Sequence, residues 1–97
     1  NNSAEQLTNP GVLMCVNLPN DHEIIEVSAP SKLHGRTLQD IGLRKKYNIN
    51  LVTLLKKDGD EHQIKGVPGP DTIIDKGDII MIFGLTKDVN RFIEINA

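Results

Sequence analysis

The sequence predicts an α+β domain, a small mixed or antiparallel sheet in the order β-α-β-β-β with helices packed on it. Three observations carry that prediction. Short runs rich in β-branched and apolar residues recur at Glu23–Val27, Ile49–Leu55 and Ile79–Phe83. Turn-forming clusters, Lys57-Asp58-Gly59-Asp60 and Asp75-Lys76-Gly77-Asp78, lie between the later runs. Thr37 and Thr86 are placed to cap helices, each ahead of apolar residues three or four apart.

In chain order, Ser3-Ala-Glu-Gln6 fits a capping box for the end of a helix, which Asn9-Pro10-Gly11 would stop. Val12–Val16 is too short for its periodicity to decide between a strand and one or two helical turns. Glu23–Val27 reads as a strand ended by Ala29-Pro30. Thr37 begins a helix whose Leu38 and Ile41 share a face, and Gly42 predicts a break, with Leu43–Tyr47 forming a second short turn. Ile49–Leu55 is apolar at both alternating sets except for Asn50, which predicts a strand covered on both faces. Asp58-Gly59 predicts a hairpin with Glu61–Lys65 as its return strand, and Val67-Pro68-Gly69-Pro70 an extended loop. Ile79–Phe83 is the most apolar strand and the expected centre of the sheet, and Thr86 caps a last helix running to Ile93.

A chain of 97 residues is one domain, and at that size it buries only about two thirds of its unfolded surface, so a partner can add support. The composition, 38% hydrophobic and 25% charged, is that of folded globular material. A net charge of -2 and only three aromatic residues, Tyr47, Phe83 and Phe92, argue against binding DNA or RNA, which needs a cationic surface or a stacking platform. The one cysteine, Cys15, rules out an internal disulfide or a cysteine-based zinc site, and its apolar neighbours predict a buried structural thiol. His22, His34 and His62 fall in separate segments without the spacing of a metal site. No Ser or Cys sits in a nucleophile motif, and no carboxylate pair suggests acid–base work, so the reading is not an enzyme.

Two series of residues carry a resemblance. The first is Leu33-x-Gly35-Arg-Thr37-Leu38-x-x-Ile41-x-Leu43-Arg44-x-x-Tyr47-x-Ile49-Asn50-Leu51-Val52. The second is Pro68-x-Pro70-x-Thr72-x-Ile74-x-x-Gly77-Asp78-Ile79-Ile80-x-Ile82-x-Gly84. Together they closely resemble the RCK C-terminal, or TrkA-C, domain of cytosolic regulators of bacterial potassium channels and transporters. The resemblance implies a homodimer that follows a nucleotide-binding Rossmann domain in the same polypeptide. No Gly-x-Gly-x-x-Gly follows a strand here. The expectation is therefore an excised half, with residues 1–16 the end of the linker and 17–97 the regulatory domain. It also implies a cytoplasmic location, at the inner face of the membrane through a potassium channel or transporter subunit held by that N-terminal domain.

In one branch of the family the paired domains bind cyclic di-AMP in a cleft between subunits, as a regulatory ligand and not a cofactor. A two-fold symmetric ligand suits an isologous dimer, which offers each half the same groups. Arg44 is a permanent cation whose guanidinium can fork to phosphate oxygens. The Asn50 carboxamide can match adenine's adjacent donor and acceptor, or serve the phosphate or backbone. By resemblance the ligand-binding positions are Arg44, Asn50, Leu43, Lys45, Leu51, Leu38 and Pro68. Each has a plainer reading: Arg44 as a solvated cation at a helix end, Asn50 as a residue bonded across a dimer interface, the leucines as core. Two departures stand out. Gly42 occupies a position that is often acidic in cyclic-di-AMP-binding relatives, and Lys45 one that is often small. A lysine there either adds a phosphate contact or fills the cleft, leaving a dimerisation module with no ligand or a different one.

Overall fold

A computed structural model describes residues 11–64 and 66–97. Five strands, β1 (Val12–Leu18), β2 (His22–Ser28), β4 (Asn50–Asp58), β5 (Glu61–Ile64) and β7 (Ile79–Leu85), form one sheet in the order β1-β2-β7-β4-β5. Every pairing in it is antiparallel. A two-stranded ladder, β3 (Arg36–Thr37) with β6 (Ile73–Ile74), stands beside it. The helices are α1 (Leu38–Ile41), α2 (Leu43–Tyr47) and α3 (Thr86–Asn96), with a 3-10 turn at Ser31–Leu33.

The predicted class and the central place of Ile79–Phe83 hold, and so does the hairpin, with Gly59 at φ +64 between the paired residues Asp58 and Glu61. Other details differ. The chain order carries a hairpin of β1 and β2 ahead of the first helix, because Val12–Val16, open between strand and helix in the sequence, pairs along β2. The 16/17 boundary expected for the linker falls inside this strand. The capping box at Ser3–Gln6 lies outside the described residues. Thr86 is the first residue of α3 rather than its cap. Its hydroxyl instead donates to the buried Glu23 Oε1 at 3.2 Å, and its N–H donates to the Asp21 carbonyl at 2.8 Å.

Antiparallel partners share a face of the sheet, so the register sorts the strands into two sides. One side presents Ile25 and Val27 of β2, Leu54 of β4 and Ile80 and Ile82 of β7, all buried against Leu33, Ile41, Val89 and Phe92. The other presents Val16, Ile24, Phe83 and Asn50 in one row, and Met14, Glu26, Met81 and Thr53 in the next. None of these is sealed from solvent. His22 stacks on Phe83 here, ring centroids 5.4 Å apart. Thus β4 is not covered on both faces, as its sequence predicts: a single chain supplies one helical layer, and the second apolar face stays open.

Cys15 is likewise exposed and not buried. Its register opposite Ile25 aims it towards the core side, but β1 is the edge strand. Partial burial, then the charge and hydrogen bond of Glu23, push its thiol up from the ordinary value, which makes it a weaker nucleophile at neutral pH.

At the far end Asp78, 1% exposed, organises the turn before β7. Its carboxylate accepts from Asp75 N at 2.8 Å, Lys57 N at 3.1 Å and the Lys56 ammonium, which also reaches Asp75. Burial pushes the Asp78 carboxyl up, but Lys56 and the two backbone N–H groups outweigh it and leave it below the ordinary value. Its contribution to stability is present above the unfolded-state carboxyl pKa and is lost as pH falls through the lower folded value. Asp78→Asn should cost about 2 kcal/mol at neutral pH, read by urea denaturation, and flatten the loss of stability on acidification below about pH 4. An unchanged acid limb would assign the acid sensitivity to other groups.

Candidate ligand groove beside the open sheet edge

The first wall of the site is set by local capping chemistry. Thr37 Oγ1 accepts from Asp40 N at 3.1 Å and starts α1. Arg36 pins the same turn, with Nε 2.7 Å from Asp40 Oδ2 and Nη2 3.1 Å from the Asp40 carbonyl. The Arg36 hydrogen bond, then its charge, holds the Asp40 carboxyl below its usual range. The remaining free N–H groups at this helix end are answered by the proline loop: Leu38 N donates to Thr72 O at 3.0 Å and Gln39 N to Pro70 O at 2.9 Å. These two bonds tie the loop to the start of α1, and Leu38 and Pro68 line the same groove.

Gly42, at φ +67 and ψ 52, ends α1 and turns the chain directly into α2, the break the sequence predicts. A side chain at this position, including the acid expected there in relatives, would have to take the left-handed conformation. The end of α2 is closed by Asn48 at φ +59. Its N–H donates to Arg44 O at 3.1 Å, Ile49 N donates to Leu43 O at 3.2 Å, and Arg91 Nη2 donates to Lys46 O at 2.9 Å. Arg91 also lies over the Tyr47 ring, 5.5 Å from its centroid, and thus supplies the cation that a helix C-terminus favours. The side chains of Arg44 and Lys45 are therefore not needed there, and neither forms an ion pair among the described residues.

Between α1–α2, the first half of β4 and the proline loop lies a groove of about 330 Å³. It brings together six of the seven predicted positions: Leu38, Leu43, Arg44, Asn50, Leu51 and Pro68. Lys45 is not among them. It lines an adjoining hollow of about 430 Å³, with Arg44, Asn48, Ile49 and Asn50, so Arg44 and Asn50 form the wall common to both. Leu43 is buried, while Leu38 and Leu51 are half-buried against the core. Arg44 and Asn50 are exposed. Asn50 pairs in register with Phe83, which puts it on the open face of the sheet as well as on the groove.

Among the described residues β5 pairs only with Leu55–Asp58, and the groove lies where the start of β4 has no strand beside it. Sequence reasoning missed Gln39 and Val52 in its lining, and singled out only Pro68 from a proline loop that contributes Val67, Gly69 and Pro70 as well. Val52 falls where the β4–β7 register slips between Leu51 and Thr53, and such a bulge turns a side chain in a direction alternation does not foresee. Val67, 96% exposed, could have been found as an apolar residue within a proline turn.

Comparison with known proteins agrees with this architecture. The chain is 34% identical over 89 residues to the Ktr system potassium uptake protein C of Bacillus subtilis (strain 168), and 33% identical over 89 residues to the Ktr system potassium uptake protein A of the same organism. In both cases 92% of this chain is covered but only 38% of the relative, so it spans well under half the length of these proteins. Among solved structures, the KtrA Regulator of Conductance of K+ (RCK) C domain in complex with cyclic diadenosine monophosphate matches with a TM-score of 0.64 and 31% identity, over 96% of this chain and 98% of that one. The GsuK RCK domain, at 19% identity, shares the fold over 78% of this chain and 17% of that one, with a TM-score of 0.62. The TrkA-C domain matches residues 22–97. The chain belongs to the TrkA-C domain family, and its fold is that of a potassium-transport RCK C domain.

Proposed function

We propose that this domain is a cytoplasmic, non-enzymatic sensor that pairs with a second copy through the open face of its sheet and binds cyclic di-AMP in the groove at the edge of that interface. Through the rest of the polypeptide it would regulate a potassium channel or transporter. The observation that carries the reading is the position of Asn50, at once on the groove and on the open face. A ligand held by Arg44 and Asn50 would therefore lie against the second copy.

The open face is large enough for pairing. Five strands about 4.8 Å apart and roughly 20 Å long give on the order of 500 Å² in projection, at the upper end of the apolar patches that monomers expose. Ile24, Phe83 and Met81 occupy its centre, and Glu26 is the charge among them. The leucines and Pro68 offer an apolar slot for a base, and Arg44 a directed cation for phosphate. Lys45 lines the adjoining hollow rather than the groove, which favours a lysine that adds a phosphate contact over one that fills the groove. Binding would change the regulated state only in so far as the ligand prefers one arrangement of the paired domains.

Calorimetry of the domain against cyclic di-AMP, with cyclic di-GMP as control, tests this. Saturable heat at one ligand per two chains is the expected result. A dimeric domain giving no heat would leave a dimerisation module.

A further inference from the structure

The hollow beside the groove is a second polar site. Its lining is cationic and amide-rich, Arg44, Lys45, Asn48 and Asn50 around Ile49. The carbonyl groups at this end of α2 are already occupied by Asn48 N, Ile49 N and Arg91, as described above. The Asn48 amide is turned towards Asp88 Oδ2 at 3.4 Å, which leaves Lys45 as the side-chain cation facing the hollow beyond Arg44. Lys45 has no ion-pair partner among the described residues.

Resting on the reading of the groove as a nucleotide site, we infer that Lys45 forms a second anion subsite, so that the paired domain also takes linear adenine dinucleotides ending in a phosphomonoester. Charge and symmetry favour it. A cyclic dinucleotide carries two phosphodiesters, one negative charge each, and a pair of domains meets them with two Arg44 side chains. The two lysines remain unmatched. Opening one diester bridge leaves one diester and one terminal monoester, whose second ionisation near pH 6 gives it about two charges at neutral pH. One Arg44 then meets the diester. The other Arg44, with Lys45 beside it across their common wall, meets the monoester, which offers three oxygens to two cations.

The test is calorimetry of the whole domain with the cyclic ligand and with the linear 5′-phosphorylated dinucleotide, on the native sequence and on Lys45→Ala, with Lys87→Ala as a control for general loss of charge. The native domain should bind the linear ligand at least as tightly as the cyclic one. Lys45→Ala should weaken the linear ligand about tenfold and the cyclic one less than about threefold, the loss expected of one charge-assisted contact. A parallel titration with pyrophosphate, followed by the amide resonances of Lys45 and Asn48, reads the subsite without any base, and Lys45→Ala should abolish its shifts. If cyclic di-AMP binds but Lys45→Ala weakens both dinucleotides equally or neither, the subsite is refuted and the groove stands. If cyclic di-AMP fails to bind while the linear ligand and pyrophosphate do so through Lys45, the subsite stands and the cyclic-ligand reading falls. No response to the linear ligand or to pyrophosphate overturns the inference.

Discussion

Arg44→Ala should lower affinity for cyclic di-AMP by about 30-fold or more while leaving the melting temperature of the unliganded domain almost unchanged. The two halves of this expectation have separate causes. Arg44 is exposed and makes no ion pair among the described residues. The carbonyl ends of α2 that it would otherwise serve are held by Asn48 N, Ile49 N and Arg91. Its removal therefore costs the free protein little. In the complex, by contrast, each phosphate loses a forked, charge-assisted donor, worth about 1.5 to 3 kcal/mol per contact, and a two-fold site loses it twice. Arg44→Lys keeps the charge but not the planar fork, so calorimetry should place it between the two. Affinity unchanged in Arg44→Ala would remove the phosphate role. A melting temperature several degrees lower with affinity scaled to it would make Arg44 a structural residue.

How far the sequence speaks depends on which physical signal each residue leaves. Backbone punctuation was legible: Gly42 ends α1 in the left-handed conformation, and Gly59 turns the β4–β5 hairpin, because those conformations select glycine. Six of the seven candidate positions, picked out by the order and spacing of the family motif, line one groove. From periodicity alone, Leu38, Leu43 and Leu51 would have been core, and Leu43 is, with Leu38 and Leu51 half-buried against it. The strand β1 was not legible, since a five-residue apolar run carries no decisive period. Nor was the exposure of Cys15, which depends on β1 being an edge. The groove itself lies beside the start of β4, ahead of the Leu55–Asp58 stretch with which β5 pairs among the described residues, a register fact that no residue type announces.

The most informative mismatch is β4, read as covered on both faces and found with one face open. Apolar patterning records that a surface is to be withdrawn from water, not which chain withdraws it. A strand that is apolar on both sides, in a sheet with helices on one side, is what the proposed pairing with a second copy would leave in the sequence. Ile24, Ile79, Met81 and Phe83 leave the same trace on the neighbouring strands.

Met81→Lys turns that argument into a measurement. Met81 lies on the central strand, opposite Glu26 on one side and Thr53 on the other. In the free monomer the new ammonium faces the Glu26 carboxylate across β2–β7, a favourable cross-strand pair, so the fold should keep its stability to within about 1 kcal/mol. On pairing, however, four charges would be drawn into one apolar interface, where desolvation costs several kcal/mol per ion unless the geometry is ideal. Light scattering should then give the mass of one chain at concentrations where the native domain gives two, a dissociation constant raised by about 100-fold or more. Lys87→Glu, on the exposed side of α3 away from this face, should leave the mass at two chains. The same Met81→Lys domain should also lose the heat of cyclic di-AMP binding although Arg44 and Asn50 are intact, since under the proposed pairing each alone would offer half a site. A Met81→Lys domain that remains dimeric would move the interface elsewhere. One that is monomeric yet binds a ligand per chain with native affinity would show that the groove is complete within a single chain, and would separate pairing from sensing.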